Sequence, residues 1–330
     1  MLILRRRDVL DLLDGAEDTV CTIVENAYAA HARGATAVPH SVFLRFPDRP
    51  GDRIIGLPAY VGGERPVAAL KWVSSFPGNT AAGRERASAA ILLNSLADGR
   101  PEALLEGAVI SARRTAASAA VAAGLLTAGA PADVRRGVTL IGCGVIGFEI
   151  LRFLRARLPE LEEVTLYDLD AARAAGFADR VAGLGLKTSV AADAGTAMAA
   201  HRLIALATTA GEPHLGTGDC RPGTLILHVS LRDLTPEAVL AARNVVDDTD
   251  HVCREATSLD LAARRSGNRD FVDAEIGDLL TGAATLPYSA EAVTVFSPFG
   301  LGALDAALAA HVVDGAAARG LGTHVSDFVA

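Results

Sequence analysis

From residue 138 onward, short runs of β-branched and aliphatic residues alternate with stretches of helical periodicity or composition. The strand-like runs cover 138–141, 163–168, 186–190, 202–208, 224–229 and 244–247, and the helix-like stretches cover 148–158, 171–184 and 236–242. Strands separated in this way by helices predict βαβ units and a mostly parallel, doubly wound α/β sheet. The first hundred residues carry another pattern. A helical stretch over 7–33 precedes strand-like runs at 41–46, 53–60 and 66–74, with turn-rich Pro47-Asp-Arg-Pro-Gly-Asp52 and Gly62-Gly63 between them. That order predicts an α+β part with an antiparallel sheet. An alanine-rich helix over 303–319 could return to pack on either part.

Composition narrows the class. With 330 residues the chain has room for about two domains, each with its own core. Half the residues are hydrophobic and 21% are charged, which is globular territory. The net charge of -8 argues against a nucleic-acid surface, which needs a basic face. The longest alanine-rich span, 103–130, is interrupted by Arg113 and Arg114, short of the ~20 uncharged residues of a membrane helix. Charges follow the first few apolar residues and no signal-peptide core succeeds them. Cys21, Cys143, Cys220 and Cys253 are scattered without paired spacing, so no metal site and no disulfide framework is expected, and a reducing cytoplasm is the simplest home.

Within the strand-like Val67-Ala-Ala-Leu-Lys71-Trp-Val stands one of only two lysines, the other being Lys187. Nearly every other base is arginine, which a genome-wide arginine bias explains and which makes the survival of Lys71 more informative. An ammonium is a compact charge that shifts its pKa readily and meets a carboxylate without a planar fork. Lys71 is either functional or a strand residue whose amine snorkels to solvent.

Val138-Thr-Leu-Ile-Gly142-Cys-Gly144-Val-Ile-Gly147 holds the G-x-G-x-x-G spacing between a short apolar strand and a helix, and the next strand ends in Asp168 about 20 residues on. Gly142 allows the tight turn, Gly144 lets backbone approach a pyrophosphate, and Gly147 lets the helix sit close to the strand. The helix start offers N–H groups to phosphate. Asp168 would accept from ribose hydroxyls and repel a 2′-phosphate, so the expected cofactor is NAD rather than NADP. The contact set is Gly142, Gly144, Val145, Ile146, Gly147 and Asp168.

Arg113 and Arg114 precede a run of small residues; if Arg114 opens that helix, it opposes the dipole unless an anion is bound there, and otherwise it is a surface arginine. Asp233 follows the fifth strand-like run of the second half, where residues face the ligand crevice of a parallel sheet, so it is either a general base or a first-turn or N-cap acid before Pro236. His228, inside the strand run, reads as a satisfied core histidine.

Taken together, Leu57-Pro-Ala, Lys71, Arg114-Thr-Ala-Ala-Ser, the glycine loop, Asp233 and Val295-Phe-Ser-Pro-Phe-Gly-Leu-Gly-Ala-Leu-Asp305 resemble the ornithine cyclodeaminase and μ-crystallin family over nearly the whole chain and in the same order. The resemblance implies a Rossmann-type domain over 118–300, inserted in an α+β substrate-binding and dimerisation domain over 1–117 and 301–330, and a homodimer. It implies that Lys71 and Arg114 bind a substrate carboxylate, that Asp233 is the catalytic acid or base, and that Thr115 and Thr208 join the cofactor contacts. Ornithine-cyclising members have an arginine near Ser41 and an amine-binding glutamate near Ile55, and both are missing here; Ser297-Pro298 replaces an Asp-Ser pair. An unpaired buried ammonium would cost several kcal/mol.

The wording Ser41-Val-Phe-Leu-Arg-Phe-Pro, Asp52-Arg-Ile-Ile-Gly-Leu-Pro-Ala, Lys71-Trp-Val-Ser-Ser-Phe-Pro-Gly-Asn and Ser230-Leu-Arg-Asp-Leu is similar to one branch, the 2,3-diaminopropionate dehydrogenases of siderophore and peptide-antibiotic pathways. For that branch the resemblance implies oxidation and hydrolysis of N-(1-amino-1-carboxyl-2-ethyl)-glutamate. Arg45 and Arg53 become candidates for its other carboxylates, and burial is expected to raise the pKa of Asp233. The alternatives are an ornithine or lysine cyclodeaminase, another amino-acid dehydrogenase or ketimine reductase, and a non-catalytic, nucleotide-dependent binding protein.

Overall fold

The computed structural model describes Met1–Phe328. The chain divides into two compact units, one made of Met1–Arg114 with the segment from Leu301 on, the other of Thr115–Gly300.

The first unit opens with strand β1 (Leu2–Leu4) and helices α1 (Arg6–Leu13) and α2 (Glu17–Ala32). The predicted single helix over 7–33 is thus two, because Asp14 is extended and Gly15 takes φ +72°, which only glycine adopts without strain. Strands β2 (Thr36–Ala37), β3 (Val42–Phe46), β4 (Arg49–Val61), β5 (Val67–Ser75), β6 (Ala87–Asn94) and β7 (Pro101–Glu106) follow, then α3 (Ala108–Leu126). The predicted antiparallel sheet is present, but it is mixed: β1 pairs parallel with β7, and strand Thr323–His324 closes the edge antiparallel to β1.

One face of this sheet is covered by helix Gly302–Arg319, and the alanine pattern explains how closely. A Cβ on Gly302 would lie 3.2 Å from both the Leu57 carbonyl and the Ala59 Cβ. Alternation along β5 buries Val67, Ala69, Lys71 and Ser75 on the covered face and leaves Trp72 exposed on the other.

The second unit carries the doubly wound sheet. Its strands are β8 (Gly137–Ile141), β9 (Glu163–Tyr167), β10 (Lys187–Val190), β11 (Leu203–Leu206), β12 (Leu225–His228), β13 (Arg243–Val246), β14 (Val272–Glu275) and β15 (Thr294–Ser297). All are parallel, in the order β10-β9-β8-β11-β12-β15-β13-β14. The order reverses between β8 and β11, so the switch-point crevice opens at the carboxyl ends of those strands. Among the described residues no helix is long and apolar enough to cross a membrane, and no group of three metal-ligating side chains forms.

Candidate active site

The glycine loop joins β8 to the helix Val145–Arg157. Gly142 has φ +99°, and a Cβ there would sit 2.5 Å from the Ala207 carbonyl; one on Gly147 would sit 2.6 Å from the Gly142 carbonyl. Gly144 differs. Nothing lies within 4 Å of its Cβ position, so packing inside the protein does not require glycine there, whereas a ligand approaching the backbone closely would. Gly144 is also the N-cap of the helix and supplies no capping side chain, which leaves the first-turn amides of Val145, Ile146 and Gly147 for an external acceptor.

Asp168, just past β9, accepts from the Cys143 amide (2.9 Å) and the Asp170 amide (3.0 Å). Its half-buried carboxylate is therefore held at the loop, with acceptor capacity remaining for hydroxyls. An uncapped helix start, an open Gly144 and a fixed acid together fit a dinucleotide. Cys143 is not a nucleophile in this loop, because burial and the Asp168 charge push its thiol up to about 12.

Asp233 is fully buried beyond the carboxyl end of β12. The hydroxyls of Thr208 and Ser230 donate to its two carboxylate oxygens. His228 Nε2 lies 3.4 Å from Oδ2 and accepts from the Asp233 amide at 3.2 Å, while Nδ1 faces Ser297 Oγ at 3.2 Å. Burial pushes the Asp233 pKa up, but His228, Ser230 and Thr208 more than offset it and the net shift is downward. The expected rise is thus reversed, since burial here comes with a full set of partners. Nor is Asp233 a cap: the helix Pro236–Leu240 is capped by Thr235, whose hydroxyl accepts from the Ala238 amide.

In the first unit Lys71 is 3% exposed on β5, and its ammonium donates to Asp305 Oδ2 (2.6 Å) and Ser111 Oγ (3.2 Å). Arg114 Nε donates to the other oxygen of Asp305 at 3.2 Å. Asp305, 1% exposed, sits in the first turn of helix Gly302–Arg319. Two cations share one anion, so this buried cluster holds a surplus positive charge, and the terminal nitrogens of Arg114 retain donors for a further acceptor. Burial, then the Arg114 charge, lowers the Lys71 pKa to about 8 against the raising effect of Asp305.

Arg114 does not open its helix as the run of small residues suggested. Helix α3 begins at Ala108, and its first amides, on Ala108 and Val109, donate to Glu106. The dipole is satisfied by that acid and makes no demand at Arg114.

The Ornithine cyclodeaminase/mu-crystallin family matches residues 3–320. The chain belongs to this family.

Among its relatives, the N-((2S)-2-amino-2-carboxyethyl)-L-glutamate dehydrogenase of Staphylococcus aureus is 28% identical, over 98% of this chain and 97% of its own length. The structure of Thermococcus litoralis Δ1-pyrroline-2-carboxylate reductase in complex with NADH and L-proline superposes with a TM-score of 0.90 at 28% identity, covering 98% of this chain and all of that one. An archaeal alanine dehydrogenase dimer with bound NAD gives 0.89 at 28% identity and 99% coverage of both chains.

Within this ornithine cyclodeaminase/mu-crystallin chain, Arg45 and Arg53 face each other across β3 and β4. Thr115 is half-buried in α3. The Thr208 hydroxyl, read from the sequence as a cofactor contact, donates to Asp233 and accepts from the Ala210 amide. Two acids were given no role by the sequence reading. Asp305 had no legible partner, because its cations lie far upstream. Asp247, just past β13, accepts from the amides of Phe299 (2.8 Å) and Gly300 (2.7 Å), and burial pushes it up to about 6. Its place at a strand's carboxyl end was the available signal.

Proposed function

We propose that the protein oxidises and hydrolyses N-(1-amino-1-carboxyl-2-ethyl)-glutamate to 2,3-diaminopropionate and 2-oxoglutarate, as the NAD-dependent member of a biosynthetic route to a siderophore or peptide natural product. The broader class is an NAD-dependent oxidoreductase acting on the CH–NH bond of an amino acid or imine. The observation that carries the reading is the surplus positive charge of the Lys71, Arg114 and Asp305 cluster, a buried place for an α-carboxylate. The similarity to the staphylococcal dehydrogenase over nearly the full chain supports the choice of substrate.

Gly142, Gly144, Val145, Ile146, Gly147, Asp168 and Thr115 would hold NAD, which when bound accepts the hydride of the glutamyl Cα and leaves an iminium. Lys71 and Arg114 fix the α-carboxylate and so the orientation of that carbon. Asp233, held ionised by its partners, takes a proton from the water that adds to the iminium carbon. It returns the proton to nitrogen as the C–N bond breaks, and the second hydroxyl proton leaves as the carbonyl forms. Arg45 and Arg53 are assigned to further carboxylates. Ile55, paired with Val73 on the Lys71 face, offers no counter-ion for an ornithine side-chain amine.

A second copy of this chain is the partner assigned to the open face of the first unit's sheet. Val42, Leu44, Ile54, Tyr60 and Trp72 share that face, and Val42 is 64% and Trp72 43% exposed. So broad an exposed apolar patch marks an interface, and the alanine dehydrogenase neighbour is a dimer.

The test is to incubate purified protein with NAD and the glutamate–diaminopropionate adduct, with ornithine in parallel, following NADH absorbance and identifying products by mass spectrometry. NADH with 2-oxoglutarate and diaminopropionate from the adduct alone is expected. Proline and ammonia from ornithine, or no turnover of the adduct, would overturn the reading.

A further inference from the structure

We infer that Asp233 exchanges its proton with the reacting water by way of the Ser230 hydroxyl, which makes Ser230 a further catalytic residue. The inference rests on the reading that Asp233 serves the addition of water to the iminium.

Access decides the route. The Asp233 side chain is 0% exposed, and each carboxylate oxygen is covered by one hydroxyl, Oδ1 by Thr208 and Oδ2 by Ser230. His228, itself 0% exposed, stands behind Oδ2 at 3.4 Å. Thr208 and Ser230 are both half-buried, so anything that approaches Asp233 from the surface meets a hydroxyl first. The two hydroxyls lie just past the carboxyl ends of the neighbouring strands β11 and β12, where ligands of a doubly wound sheet bind. The glycine loop packs against the same place, since a Cβ on Gly142 would sit 2.5 Å from the Ala207 carbonyl and 2.9 Å from the Thr208 amide nitrogen.

Spare acceptor capacity separates the two hydroxyls. Each has one proton to donate and two lone pairs to offer. Thr208 Oγ1 donates to Asp233 and gives one lone pair to the Ala210 amide at 3.1 Å. Among the described residues Ser230 Oγ bonds to Asp233 alone, so both its lone pairs are open to an incoming donor.

The turn from Ser230 to Asp233 is held from both sides. The Ser230 amide donates to the Leu206 carbonyl at 3.1 Å, and the Asp233 carbonyl accepts from the amides of His214 and Leu215, each at 2.8 Å. Between them Leu231 has φ +67°, a left-handed conformation unfavourable for a residue with a side chain. Its carbonyl accepts from the Ser258 amide at 2.8 Å, and Arg232 Nη2 donates to the Glu255 carbonyl at 2.8 Å. The strained turn is thus tied to the 255–258 segment, and Ser230 Oγ is kept on Asp233 Oδ2.

The protons balance. A lone pair of the water oxygen forms the C–O bond to the iminium carbon, and one O–H bond of that water breaks with its electrons left on oxygen. The freed proton passes to Ser230 Oγ as the Ser230 proton passes to Asp233 Oδ2. The same path in reverse delivers a proton to nitrogen as the C–N bond breaks, and Ser230 ends as it began.

Rapid mixing of the full-length protein with NAD and the glutamate–diaminopropionate adduct tests this in Ser230→Ala, Ser230→Thr and Thr208→Val. Hydride loss does not use Ser230, so S230A should release about one NADH per site in a burst and then turn over on the order of 10²-fold more slowly than wild type. S230T, which keeps a hydroxyl, should recover most of that loss, and T208V should lose less than S230A. Wild-type turnover in S230A, or a larger loss in T208V, would overturn the relay. Carbon-13 NMR of aspartate-labelled protein reads the contact without turnover. Burial raises the Asp233 carboxyl, whereas His228, Ser230 and Thr208 hold it down, so S230A should move its titration to higher pH. An unmoved titration would overturn the inference whatever the substrate. Oxidation of L-alanine but not of the adduct would strike the substrate reading alone, and the same variants on L-alanine, whose deamination needs the same addition of water, would then decide the relay.

Discussion

Replacing Asp305 with Asn removes the anion that Lys71 and Arg114 share, and the cost should depend on pH. At pH 6 the Lys71 ammonium, with a pKa of about 8, is charged in the wild type. The substitution then leaves two buried cations uncompensated, a loss of about 3–5 kcal/mol. At pH 9 Lys71 is mostly neutral in both proteins, and the remaining loss is the charge-assisted bond from Arg114, about 1.5–3 kcal/mol. The folded pKa of Lys71 lies below its ordinary 10.5, so between these values the unfolded chain binds more protons and this group's contribution to stability rises with pH. Without Asp305 the folded pKa falls further and that window opens at lower pH. Urea unfolding of wild type and D305N at pH 6 and pH 9 measures the difference directly. The penalty should shrink by roughly 1–3 kcal/mol across that range. An equal penalty at both pH values, or none at pH 6, would refute the counter-ion role and reduce Asp305 to a packing residue.

Asp168→Asn should weaken NAD and admit NADP, with the ratio of their dissociation constants moving by about tenfold or more, about 1.4 kcal/mol, in a fluorescence titration; an unchanged ratio would place the ribose contact elsewhere. His228→Phe removes a partner that depresses the Asp233 pKa, so the acid limb of the kcat/KM profile should move to higher pH, and a limb that stays put would sever His228 from the base. Trp72→Glu should shift sedimentation from dimer to monomer; a dimer that survives it would assign the exposed sheet face to another occupant.

In the doubly wound half the strands β8, β9, β10, β11, β12 and β13 were legible from short β-branched or aliphatic runs, and Asp168 just past β9 from its spacing to the glycine loop, whereas β14 and β15 were not read as strands, Val272-Asp-Ala-Glu275 because it carries little strand signal. The first unit was harder to read. Strands β6 and β7 escaped because Ala87, Ala89 and Ala90 and the opening Pro101-Glu102 carry little strand signal, and their pairing is set by neighbours far away in sequence. Lys71 stood out by rarity. Its partner Asp305 did not, since an acid in an alanine-rich helix reads as a solvated first-turn residue until the helix is seen to bury it. For Asp233 the position was readable but the direction of its titration was not, because that depends on three hydroxyl and imidazole groups converging from different loops and strands.

The cluster of Lys71, Arg114 and Asp305 also imposes an order of events on biosynthesis. Asp305 lies 234 residues after Lys71 and 191 after Arg114, and the whole second unit is translated in between. Chains grow from the N-terminus and domains fold as units while they emerge. The second unit is thus translated in full before the first has either its covering helix or its anion. Through that interval the sheet face that carries Lys71 has no covering helix, and the carboxylate site comes into being only once that helix is made.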